Sequence, residues 1–115
     1  MSGFELYRTL EDTMAQAFAD LEASRKSGVE AAKKRAEARA AVKTQMLALR
    51  TQGYPASMVQ KVAEGSVGVN GKIQEAECAE AAYKADLEAI NLRKREADIL
   101  REQISREWSE SRRSV

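Results

Sequence analysis

The stretch Thr51-Gln52-Gly53-Tyr54-Pro55-Ala56-Ser57-Met58-Val59-Gln60-Lys61-Val62-Ala63-Glu64-Gly65-Ser66 interrupts two otherwise unbroken helical patterns, and its reading decides the fold. Gly53 can take the left-handed conformation that ends a helix, and Pro55, the single proline of the chain, opens a new element two residues later. Met58, Val59 and Val62 then recur at helical spacing, which predicts a short amphipathic helix over about 55–64, closed by Gly65. Ser66 is placed to cap the next helix, whose first turn Gly68 and Gly71 weaken.

Upstream, Ser2 and Glu5 form a capping box, and only Gly28 interrupts the interior of a helix expected over about 3–52. Tyr7, Leu10, Met14, Ala17 and Leu21 follow spacings of three and four, with Phe4 and Phe18 beside them. Downstream, Val69, Ile73, Ala76, Ala79, Tyr83, Leu87, Ile90, Ala97, Leu100, Ile104 and Trp108 predict a helix over about 67–108, with a frayed tail at 109–115. Between Ala23 and Ala41 the first helix offers, apart from its charged residues, only small residues and Val29. Folding the chain at about residue 60 sets that stretch opposite 79–97, large against small. The expectation is a single all-α domain over 1–115, a long antiparallel helical hairpin with a short helix at its tip.

Composition agrees and excludes much chemistry. Of the 115 residues 20 are alanine, 32% are charged and 5% aromatic, the balance of long helices rather than sheets. There is no histidine, which removes the commonest general base and metal ligand. The lone Cys78 forms no intrachain disulfide or cysteine-cluster zinc site and fits a reducing cytoplasm; it reads as a small packed residue. No apolar run reaches a membrane span, and the first residues lack the pattern of a signal peptide. Glu75, Glu77 and Glu80 have no partnering histidine for a di-metal site. Gly65, Gly68 and Gly71 follow no strand and make no phosphate loop. No catalytic residue, metal site or cofactor is expected, and the chain reads as a non-enzyme.

Size forces a second expectation. Two helices of roughly 48 and 42 residues would be about 70 and 60 Å long. Phe4, Tyr7, Phe18, Tyr83 and Trp108 are too many large side chains for one hairpin seam. A homo-oligomeric bundle or ring of hairpins would bury them, so these five are the candidate oligomer interface.

The net charge of +1 hides a segmental pattern. Residues 1–24 carry one basic and five acidic residues, net −4, and residues 25–50 carry eight basic and two acidic, net +6. Residues 51–92 are net −3 and residues 93–115 net +2. One reading is register: the hairpin lays the basic stretch beside Glu75, Glu77, Glu80, Asp86 and Glu88. The other is phosphate binding. Arg25, Lys26, Lys33, Lys34, Arg35, Arg39, Lys43 and Arg50 would act with Arg93, Lys94 and Arg95, with the two clusters converging near one level of the bundle. Tyr54, next to the proline, could stack on a base, although a contact closing the short helix explains it as well.

Several words of the sequence carry a resemblance: Gly53-Tyr54-Pro55-Ala56, the short helix ending at Gly65, Glu80-Ala81-Ala82-Tyr83-Lys84, Ala89-Ile90-Asn91 and Gln103-Ile104-Ser105-Arg106-Glu107-Trp108. Across about 45–108 the layout resembles small helical early-region proteins of bacteriophages and prophages, similar in plan to the UvsY-type recombination mediators. The resemblance implies a ring-forming accessory of recombination that binds single-stranded DNA or a DNA-bound recombination or replication protein in the host cytoplasm. It transfers no residue role. Two alternatives stay open: a counter-defence protein sequestering a small signalling nucleotide between subunits, and a protein–protein adaptor without nucleotide affinity.

Overall fold

The structure, a computed structural model, describes residues 2–113 and is all-helical, with no strand among the described residues. Helix α1 spans Gly3–Thr51, α2 Ala56–Gly65 and α3 Val67–Arg113. The capping box opens α1: the Glu5 amide donates to Oγ of Ser2 at 3.3 Å and the Ser2 amide to Oε2 of Glu5 at 3.2 Å. Gly53, at φ 93°, closes it. The Gly53 amide bonds the Arg50 carbonyl at 3.0 Å and the Tyr54 amide the Leu49 carbonyl at 3.1 Å, the paired bonds of a Schellman motif.

Pro55 is the N-cap of α2, which therefore begins one residue later than expected. The Ser66 hydroxyl does not cap α3; it donates back to the Val62 carbonyl at 3.0 Å, and only its backbone carbonyl accepts the Asn70 amide at 2.8 Å. The frayed tail expected from Ser109 is helical as far as Arg113, while Ser114 and Val115 lie outside the described residues.

The chain groups into two compact units, Met1–Ser24 with Ala85–Val115, and Arg25–Lys84. In the second unit the rest of α1 runs antiparallel to the start of α3. Leu49, Val59 and Ala63 form a buried cluster with Met46 and Val62 against it, so α2 sits on the last turns of α1. Of the amphipathic set expected in α2, Val59 is buried while Met58 stays exposed. Because α2 covers the end of α1, α3 starts short of that end and the register differs from the expected one. Gly28 faces Tyr83, Arg35 faces Glu80 and Lys34 faces Glu75, so the alanine stretch pairs nearer the start of α3 than residues 79–97. The packing principle holds at Gly28, where a methyl group would stand 3.0 Å from Cε1 of Tyr83.

In the first unit the other ends of α1 and α3 pair, also antiparallel. Gly3 lies against Glu107, Met14 Sδ accepts from Arg101 at 4.0 Å, and Asp20 meets Arg93 at 3.3 Å. The seam on α1 is Leu6, Leu10, Thr13, Ala17, Asp20 and Ser24, all buried or half-buried. Tyr7 and Leu21, expected in that seam, are exposed instead. The buried Ser24 is satisfied by donating to the Leu21 carbonyl at 2.7 Å. The α3 stripe follows expectation at Ile90, Ala97, Leu100 and Ile104, but Leu87 and Trp108 are exposed.

Candidate nucleic-acid interface

The basic candidates divide by what they touch. Lys34 Nζ stands 3.5 Å from Glu75 across the helix pair, with Glu37 and Glu30 at 3.8 and 3.9 Å on its own helix. Arg35 bonds Oε2 of Glu80 at 2.7 Å. In the other unit Arg93 bridges Asp20 on α1 and Glu96 on α3, at 3.3 and 3.1 Å. The hydrogen bond to Glu96 foremost, then the charges of Glu96 and Asp20, raise the Arg93 pKa above its ordinary value, although desolvation opposes them. These three cations hold helices together in register.

Lys26, Lys33, Arg39, Lys43, Arg50, Lys94 and Arg95 are exposed and make no ion pair among the described residues. Arg39, Lys43 and Arg50, spaced by four and seven, share one side of α1, and Lys26 and Lys33 form a second row one heptad apart. Arg25 shares the side of Arg39 but has a partner of its own. Arg25 and Lys26 belong to one unit and Arg93, Lys94 and Arg95 to the other, so the expected convergence of the two clusters is a feature of neither unit.

Arg39 and Lys43 edge a groove of about 860 Å³ beside Ala38, Val42 and Met46 of α1. Its opposite wall carries Glu64, Glu77 and Glu80, which gives the groove mixed charge. Tyr54 is partly exposed just past Arg50 in sequence. Cys78, read from sequence as packed, is exposed, because it stands next to the α3 stripe rather than on it. No group of three or more potential metal-ligating side chains occurs among the described residues, and no helix is long and apolar enough to cross a membrane.

The interface candidates also divide. Phe4, Tyr7, Phe18 and Trp108 are exposed, whereas Tyr83 is half-buried against Gly28 of its own chain. Phe18, Met14 and Leu21 line a second groove of about 560 Å³ with Lys94 and Arg101 of α3. Phe4, Tyr7 and Trp108 line a third, smaller one. Exposed Leu21 and half-buried Met14 share the face of the exposed aromatics, a grouping that the spacing 4, 7, 11, 14, 18, 21 carried in the sequence. No family model matches the sequence, and no curated protein and no solved structure matches it.

Proposed function

We propose that this chain is a non-enzymatic helical module that assembles with copies of itself and holds single-stranded DNA along α1, as an accessory of recombination. The observation that carries the reading is the row Arg39, Lys43 and Arg50, exposed and without an acidic partner while neighbouring Lys34 and Arg35 are paired across the helices. Such a row tracks a phosphate backbone without reading sequence, and self-assembly multiplies three weak contacts per chain by avidity. The row spans about 16 Å at the 1.5 Å helical rise.

The test is fluorescence anisotropy of a labelled oligonucleotide over a salt series. Three phosphate contacts per chain give a log–log salt slope of about −2 per chain bound. The triple variant Arg39→Glu/Lys43→Glu/Arg50→Glu is expected to abolish binding at low salt with helicity unchanged, and undiminished binding would overturn the assignment. Lys34→Glu/Arg35→Glu serves as the contrast, since it acts on helix pairing and is expected to lower the melting temperature. A second reading, a protein adaptor without affinity for nucleic acid, draws on Glu64, Glu77 and Glu80 lining the same groove as Arg39 and Lys43, where they repel phosphate. It is the outcome if the wild-type chain ignores the oligonucleotide at low salt.

A further inference from the structure

α1 carries two apolar stripes in the first unit, and the stronger one is left mostly outside the fold, with only Met14 of it half-buried against Arg101. The inward stripe contains Thr13, Asp20 and Ser24, whereas the outward one runs Phe4, Tyr7, Glu11, Met14, Phe18, Leu21 in alternating steps of three and four. Phe4 is 76% and Phe18 69% exposed. The same face receives Leu87, Lys94, Arg101 and Trp108 from α3, each one heptad from the next, and Trp108 is 61% exposed.

We infer that this face of the first unit docks a second copy of the chain two-fold symmetrically, α1 of each copy lying antiparallel on α3 of the other as a four-helix bundle. Self-complementarity argues for it. The one charged member of the α1 stripe is acidic, Glu11, and the α3 side of the face carries Lys94 and Arg101 with Asp98 between them, 3.7 Å from Arg101. The contacts of Gly3 with Glu107, Met14 with Arg101 and Asp20 with Arg93 bracket these levels, placing Phe4 within about one helical turn of Trp108 and Glu11 within about one turn of Arg101. A two-fold axis along the helices preserves level. It therefore brings Glu11 to the partner's Arg101 and Phe4 to the partner's Trp108, the isologous pattern in which each contact occurs twice.

The inference rests on the self-assembly proposed above, and the experiment separates the two. Light-scattering mass is measured for the wild type and for Phe18→Glu, with circular dichroism as the check on folding. A wild-type mass of two chains or an even multiple is expected, halved in a helical Phe18→Glu. Separately, two chains lacking Cys78 through Cys78→Ser, one with Glu11→Cys and one with Arg101→Cys, are mixed and oxidised. A disulfide-linked heterodimer is expected, forming faster than cross-links in either chain alone. A multimeric wild type whose mass survives Phe18→Glu, or a mixture that does not cross-link, overturns this face but leaves self-assembly standing. A monomeric wild type overturns both. Where Phe18→Glu unfolds, the cross-link alone decides: its formation supports the face and its absence overturns it.

Discussion

Gly28 and Tyr83 mark a close approach of the two long helices. A glycine inside a helix is worse than alanine by about 0.5–1 kcal/mol, because the free chain loses more freedom on folding. The tyrosine ring occupies the space that an added methyl group would need, at 3.0 Å from Cε1 and 3.4 Å from two further ring atoms. Both effects are readable in one double-mutant cycle. Gly28→Ala is expected to stabilise a Tyr83→Ala chain by about 0.5–1 kcal/mol, and to give none of that gain with the ring present. Equal gains in the two backgrounds, measured by urea unfolding, would mean that the ring yields freely. Periodicity reaches only part of such a pair: Tyr83 read both as bulk opposite the small stretch of α1 and as a surplus aromatic, because nothing in the sequence announces that Gly28 is the small residue opposite it. Lys34 and Arg35 show the same limit. They sit in one basic run with Lys33 and Arg39, and only the placement of Glu75 and Glu80 separates the paired cations from the unpaired ones.

At the scale of elements, local signals were legible and lateral ones were not. The Ser2–Glu5 box and the Gly53 turn depend on a few consecutive residues, so the sequence contains their whole cause. Glycine substitutions probe this with opposite signs. At Gly53 the backbone is left-handed, and Gly53→Ala is expected to cost about 1–2 kcal/mol although nothing lies within 4 Å of the new methyl group. At Gly68 and Gly71 the space is equally open but the backbone is helical, so alanine is expected to stabilise by about 0.5–1 kcal/mol at each. Thermal melts of the three variants check both directions. The side on which α1 packs was harder to read. Two neighbouring stripes both keep the three-four rhythm, and the one with Leu6, Thr13, Asp20 and Ser24 is the less apolar. Its short polar side chains are nevertheless satisfied in place, Ser24 by a carbonyl and Asp20 by Arg93. Burial thus followed satisfied polarity and small size, and the aromatics were left on the outside.

At the scale of the whole molecule, the interior is thin. Nine apolar residues are buried among the described ones, and Ala31, Ala38, Ala63 and Ala97 are four of them. No buried side-chain nitrogen or oxygen lacks a partner among the described residues, so the interior is sparse without being defective. The complementary charge blocks were legible as blocks, and they meet at Lys34–Glu75 and Arg35–Glu80. Such surface pairs contribute at most about 1 kcal/mol each, enough to select a register and too little to replace a core. An alanine seam has one more consequence, in calorimetry. The heat-capacity change of unfolding follows apolar area brought into water, and an average chain of 115 residues gives about 1.5 kcal/mol/K. Methyl groups expose far less hydrocarbon than leucine or phenylalanine side chains. The Phe18→Glu chain, if held monomeric, should therefore fall well below that value, with a flat stability curve; a full 1.5 kcal/mol/K by differential scanning would contradict it. Such a protein would lose little stability on cooling, and its resistance to heat would depend on concentration wherever a second copy supplied the missing hydrocarbon.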